Sequence, residues 1–377
     1  MKSRIRITEI KRHGLPCSPA VFGVEKAWEA RRFHETLEEY RPTPLRELRA
    51  LAARLGVGAL YVKDESFRFG LNAFKGLGGS FAVSRQAEGK SGRLTFVTAT
   101  DGNHGRGVAW AAARLGHDAV VYLPKGTARE RLENILALGV HAEITELSYD
   151  DTVRYAAEMA EANGWLLIQD TAWDGYEEIP AQIMQGYTTM GLEITEQLGT
   201  VRPTHVFLQA GVGAMAGAMT GFFADYYGEH RPKFIIVEPE GADCIFRTAA
   251  ADDGRLRFCG SDMHTIMAGL CCGEPCTLGW NILKDHADFA LSCPDTVAAD
   301  GMRILGNPLP GDPAIVSGES GAVTLGAAAE ICRADDPALQ DALGIDSGSV
   351  LLCISTEGDT DRENYRDIVW YGKYSAL

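Results

Sequence analysis

The sequence predicts an α/β protein of two domains, each built on a parallel-type sheet covered by helices. Three observations carry that expectation: short apolar runs alternate with longer segments at helical spacing, glycines close the helical segments, and glycine-rich loops follow several of the runs. Residues 94–98, 119–123, 165–169, 205–209, 234–238 and 350–355 are β-branched or apolar on both faces, as strands buried in a parallel sheet must be. Residues 60–65 read as a further strand end. Between these runs, 107–115, 127–138 and 149–163 place apolar residues at helical spacing, and Gly116, Gly139 and Gly164 end them. No low-complexity linker divides the chain, so one domain is expected to be inserted in the other. The larger would comprise 1–92 and 188–377, the smaller and movable one 93–187. The acidic stretch 334–336 and the basic stretch 29–32 read as solvated surface.

The 377 residues suffice for a substantial core, and 51 acidic against 36 basic side chains leave a formal charge of -15. That balance argues against nucleic acid and anionic membrane surfaces, and for small neutral or zwitterionic ligands. No run of apolar residues is long enough to span a bilayer, and residues 1–6 lack the apolar core of a signal peptide, so a cytoplasmic protein is expected. The nine cysteines form no paired CxxC modules. The cluster Cys271, Cys272 and Cys276 does not match a zinc spacing, so no metal is expected, while one pairing with Cys293 is left open.

The chemistry is concentrated in four segments. Lys75, in Asn72-Ala73-Phe74-Lys75-Gly76, sits between an extended lead-in and a small-residue helix start, where a lysine is placed as a nucleophile able to hold a carbonyl cofactor. The loop from Thr100 through Asp101, Gly102, Asn103 and His104 precedes a helix, whose free N–H groups suit a substrate carboxylate. The loop Gly211-Val212-Gly213-Ala214-Met215-Ala216-Gly217 opens another helix and suits a phosphate. Ser355 and Thr356 place hydroxyls beyond the last strand. Each segment alone also has a plain structural reading, and a dinucleotide reading of the 211–217 loop is set aside because it leaves Lys75 unused.

Taken together these segments resemble the fold-type II pyridoxal-phosphate enzymes, the tryptophan synthase β-like family that includes serine and threonine dehydratases, over nearly the whole chain. Six blocks in the same order resemble its diaminopropionate ammonia-lyase branch: 72–75, 100–107, 169–173, 210–217, 317–322 and 354–361. The segment 86–92 is shorter than in some relatives. The resemblance implies pyridoxal 5'-phosphate held as a Schiff base on Lys75, flanked by Phe74. Asn103 would face its phenolic oxygen, Gly211, Val212, Gly213, Ala214, Met215 and Gly217 its phosphate, and Ser355, or alternatively Thr356, its pyridine nitrogen.

It further implies α,β-elimination of D- and L-2,3-diaminopropionate to pyruvate and two ammonia, with Lys75 as base for the L-isomer. Asp101 stands where the generic dehydratase loop has a small or hydroxyl residue. It is expected to be the base for the D-isomer, against the reading that it only caps the next helix. Thr100, Gly102, Asn103 and His104 would surround the substrate carboxylate. Asp170 would pair with the second ammonium of a diamino substrate or serve as a structural acid. A homodimer is implied as well. The alternatives are a serine or threonine dehydratase of the same fold and a non-catalytic ligand-binding protein.

Overall fold

The computed structural model describes residues 3–100, 102–260, 263–333 and 337–375; of the expectations above, Asp101 and the stretch 334–336 lie outside them. The strands are β1 (Arg6–Glu9), β2 (Leu45–Glu47), β3 (Ala59–Asp64), β4 (Thr95–Ala99), β5 (Asp118–Leu123), β6 (His141–Ile144), β7 (Leu166–Leu167), β8 (His205–Gln209), β9 (Lys233–Pro239), β10 (Phe289–Cys293) and β11 (Val350–Ser355). They form a seven-stranded sheet in the order β1-β10-β9-β8-β11-β3-β2 and a four-stranded sheet in the order β6-β5-β4-β7. The second sheet is wholly parallel. In the first, the two edge strands β1 and β2 run antiparallel to their neighbours, a correction to a purely parallel reading. Edge strands bury one face only, so β1 (RITE) and β2 (LRE) lack the apolar run that betrays the interior strands.

The run 165–169 contributes only two residues of ladder. Beyond Leu167 the side chain of Gln169 takes over: its Oε1 accepts from Ala99 N at 3.0 Å and from Thr98 Oγ1 at 3.1 Å. The Tyr176 hydroxyl accepts from Gln169 N at 3.0 Å and donates to Leu167 O at 2.8 Å. This early exit from the sheet turns Asp170 toward the space between the two sheets.

The helices Gly76–Ala87 and Asn103–Arg114 meet through glycines. A Cβ on Gly79 would lie 3.0 Å from the Gly107 carbonyl carbon, and one on Gly107 would lie 3.0 Å from the Lys75 carbonyl. Only bare backbone permits that approach, and it sets the N-terminal ends of the two helices, with Lys75 and Asn103, side by side. Behind them Lys63, Arg68, Glu65 and Glu193 form a fully buried charge cluster, with Lys63 Nζ 2.7 Å and Arg68 Nη1 2.7 Å from the Glu193 carboxylate. The cluster ties β3 to the helix Thr189–Leu198.

Candidate active site

A cavity opens where the lysine segment, the asparagine loop and the carboxyl ends of β8 and β11 converge. Lys75 and Phe74 form one wall, with Phe74 against Tyr187 at 4.7 Å between ring centroids. Lys75 Nζ donates to Asp170 Oδ2, and His104 Nδ1 lies 3.9 Å from the same oxygen. Burial pushes the Asp170 carboxyl up, but His104 and Lys75 outweigh it and bring it down to about 2, so Asp170 is an anion throughout the neutral range. The cavity therefore holds a fixed negative charge beside the one lysine that lines it.

The glycine loop forms the opposite wall. Gly213 has φ +89°, and Gly211 lies so close to Gly269 that a Cβ would sit 3.2 Å from its carbonyl oxygen. No side chain caps the helix Ala214–Tyr227, and Gly213, Ala214 and Met215 all line the cavity. The first-turn N–H groups of this helix are thus available to an anion.

On the remaining side, Gln209 Nε2 donates to Thr356 Oγ1 at 2.9 Å, to Ile354 O at 2.9 Å and to Ser320 O at 3.0 Å. Its Oε1 is buried with no hydrogen-bond donor among the described residues. Thr356 lines the cavity. Ser355 does not: it is buried, and its hydroxyl donates to Ser317 Oγ at 2.7 Å. Strand alternation sends the two neighbouring hydroxyls to opposite faces, so Thr356, the second choice from sequence, is the one that faces the cavity. Asn103 also lines the cavity, its Nδ2 donating to Glu357 Oε2 at 2.5 Å.

The other expected residues stand just outside the cavity wall. Thr100 Oγ1 accepts from Gly102 N at 2.9 Å and Gly105 N at 3.0 Å, so Thr100 performs the helix-capping task. Gly102 takes φ +141° to make that turn. His104 is buried, its Nε2 2.8 Å from Ile168 O and its Nδ1 3.9 Å from Asp170 Oδ2, and does not itself line the cavity. Gly217 is a packing residue on the far side of its helix, 2.7 Å from the Gly279 Cα for an added Cβ. Gln209, Glu357, Tyr149, Tyr187 and Ser320 line the cavity without having been singled out. A sequence signal existed for three of them: Gln209 ends an apolar strand directly before the glycine loop, and Ser320 and Glu357 lie within the 317–322 and 354–361 blocks.

A lysine amine, an uncapped glycine-rich helix start and a hydroxyl around one cavity are groups that fit pyridoxal phosphate: a nucleophile for its aldehyde, N–H donors for its phosphate and a donor for its ring nitrogen. The chain belongs to the pyridoxal-phosphate dependent enzyme family, whose pattern matches residues 36–354. Within it, the chain is 50% identical over 378 residues to the diaminopropionate ammonia-lyase of Escherichia coli K12, covering 94% of each. The holo crystal structure of the Escherichia coli enzyme superposes with a TM-score of 0.94 at 47% identity, covering 100% of this chain and 99% of that one. Its complex with D-serine superposes with a TM-score of 0.93 at 47% identity, covering 99% and 98%.

Proposed function

We propose that the protein is a pyridoxal-phosphate-dependent carbon–nitrogen lyase that converts 2,3-diaminopropionate and water to pyruvate and two molecules of ammonia. The observation that carries this reading is the pair of Lys75 with the buried Asp170, an anion fixed inside a cofactor cavity. A diamino acid brings one more ammonium than serine, and Asp170 is the carboxylate able to receive it.

Pyridoxal phosphate, when bound, supplies the sink for electrons released at the substrate's α-carbon. Lys75 anchors it through the aldehyde. The N–H groups of Gly213, Ala214 and Met215 receive its phosphate, and the Asn103 amide, oriented by Glu357, faces its phenolic oxygen. Thr356 already accepts from Gln209, so its own proton is left to donate to the ring nitrogen. A hydroxyl donates to a neutral nitrogen, whereas a carboxylate would keep that nitrogen protonated. The weaker electron withdrawal favours prompt loss of the β-amino group over transamination.

The substrate's α-amine displaces Lys75, whose freed amine takes the α-proton of the L-isomer. Asp101, on the loop that carries Asn103, takes that of the D-isomer; Thr100 already supplies the cap that a purely structural Asp101 would be needed for. Asp170 holds the second ammonium, and the released enamine hydrolyses to pyruvate. Residues 93–187 close over the substrate as a smaller domain, two copies of the chain form a homodimer, and the protein acts in the cytoplasm.

The test is pyruvate and ammonia release from separate D- and L-2,3-diaminopropionate, with D- and L-serine as controls, by the protein and by Asp101→Asn. Both diamino isomers should react, and Asp101→Asn should lose mainly the D-isomer. Turnover confined to serine or threonine would make the chain a dehydratase.

A further inference from the structure

A polar crevice of about 390 Å³ lies between the segment after β3, the loop after β11 and the helices Asn103–Arg114 and Arg129–Leu136. Ser66, Asn72 and Asp359 line it from the large-sheet side, and Arg106, Glu130 and Asn134 from the small-sheet side. It shares no lining residue with the cofactor cavity.

Its charges are unusual in how they are left. Arg106 donates from Nη1 to Leu71 O at 2.9 Å, while its Nε is buried with no acceptor among the described residues. Burial alone acts on this guanidinium and lowers it; no carboxylate offsets the effect. Charged groups taken out of water are normally paired. Glu130, half-buried across the crevice, likewise joins no ion pair or side-chain hydrogen bond among the described residues. Asp359, by contrast, is already engaged: it accepts from Asn72 Nδ2 at 3.1 Å and faces Arg362 at 4.0 Å. One unpaired cation and one unpaired carboxylate therefore face the same space with an amide, Asn134, beside them. An anion alone would meet Glu130, and a cation alone would meet Arg106. A ligand bearing both charges satisfies both.

We propose that this crevice is a second amino-acid site, separate from the catalytic one. It takes the carboxylate of a small zwitterionic α-amino acid on Arg106 and its ammonium on Glu130.

The crevice is wired to the chemistry. Arg106 holds the carbonyl of Leu71, which leads into Asn72-Ala73-Phe74-Lys75. Gly358 N donates to Asn72 O at 3.0 Å and Phe74 N to Thr356 O at 3.0 Å. Thr360, also in the lining, donates to Glu357 at 3.4 Å, and Glu357 holds Asn103. A ligand drawing Arg106 and Glu130 together would brace the small-sheet helices against the lysine segment, so occupancy should alter turnover as well as stability.

The probe is N,N-dimethylglycine, a zwitterion whose tertiary amine cannot condense with the cofactor's aldehyde, titrated into the holoenzyme at constant ionic strength. The expected result is a saturable rise in unfolding temperature of roughly 2–4 °C with a parallel change in KM for the substrate. Both should vanish in Glu130→Gln, a change outside the cofactor cavity that leaves basal turnover intact, and in Arg106→Gln. No saturable response, or one undiminished in Glu130→Gln, overturns the proposal. An equal response to acetate also overturns it, because the site would then read the carboxylate alone.

Discussion

Lys75 and Asp170 are 95 residues apart in sequence and in contact in space, and the proposed chemistry rests on that contact. Lys75→Ala should reduce turnover below detection and abolish the visible absorption of bound cofactor; a variant retaining both would remove the assignment of Lys75. The neighbouring hydroxyls allow a sharper comparison. Thr356→Ala, which deletes the hydroxyl lining the cavity, should lower kcat about 100-fold, the usual cost of one preorganised donor. Ser355→Ala, whose hydroxyl is turned to Ser317, should remain within about threefold of the parent, since that bond is remote from the reacting atoms. Equal losses in steady-state assays would contradict the facing assigned to the two side chains.

Glu238 lies on β9, the strand beside the one that leads into the glycine loop, and is fully buried. Burial pushes its carboxyl up to about 8, although it accepts from Ile245 N at 2.9 Å and Phe246 N at 2.6 Å. Through the window from its ordinary value of 4.5 to about 8 the folded chain keeps a proton that the unfolded chain releases. Its contribution to stability therefore declines as pH rises through that window. Unfolding temperatures recorded from about pH 5 to 8 should fall less steeply in Glu238→Gln, which carries no titrating proton; parallel slopes would contradict this account.

At the scale of elements, glycines decide how closely helices approach. The helix Ala214–Tyr227 crosses Thr277–His286 at Gly217 and Gly279. An added Cβ on Gly217 would stand 2.7 Å from the Gly279 Cα, and neither backbone can move without shifting the cavity-lining turn at Gly213, whose carbonyl oxygen lies 2.6 Å from a Cβ built on Gly279. Gly217→Ala should cost about 1–3 kcal/mol by overpacking and weaken cofactor retention as well, read by denaturant unfolding and by cofactor release on dialysis. Intact stability and retention would show that the helices separate freely. The loop reading of 211–217 treated all its glycines as phosphate contacts; the packed helix assigns Gly217 to a different task.

Across the whole molecule, the buried cluster of Lys63, Arg68, Glu65 and Glu193 joins the large sheet to the helix that follows the small one. Burial raises the Glu193 carboxyl, but Arg68 and Lys63 outweigh it and hold the group well below the usual carboxylate range. Glu193→Gln would leave two buried cations sharing Glu65, and should cost about 3–5 kcal/mol, measured as a lowered unfolding midpoint in denaturant. A midpoint shift near zero would mean that solvent reaches the cluster.

The same scale shows which elements the amino-acid sequence announces. The runs 205–209 and 350–355 coincide with β8 and β11, and the helix Tyr149–Asn163 has the expected ends, because Ser148 caps it and Gly164 closes it. The strands β1, β2 and β6 went unread, since short edge strands carry no apolar run, and β10 (FALSC) is brief enough to pass for helix core.

By itself the sequence determined the α/β class, through alternating buried runs and helical spacing, and the kind of chemistry, through Lys75 between an extended segment and a glycine-rich helix start. It also named the glycine loop and Asn103, because backbone access at helix starts leaves a local signature. Only the tertiary structure decided that Thr356 rather than Ser355 lines the cavity, that Asp170 meets Lys75, and that Gln209 and Glu357 line the same cavity. The physical reason is range: glycine turns and helix periods are written within a few neighbouring residues. Which face of a strand looks inward, and which distant carboxylate arrives beside a lysine, depends on how the two sheets pack.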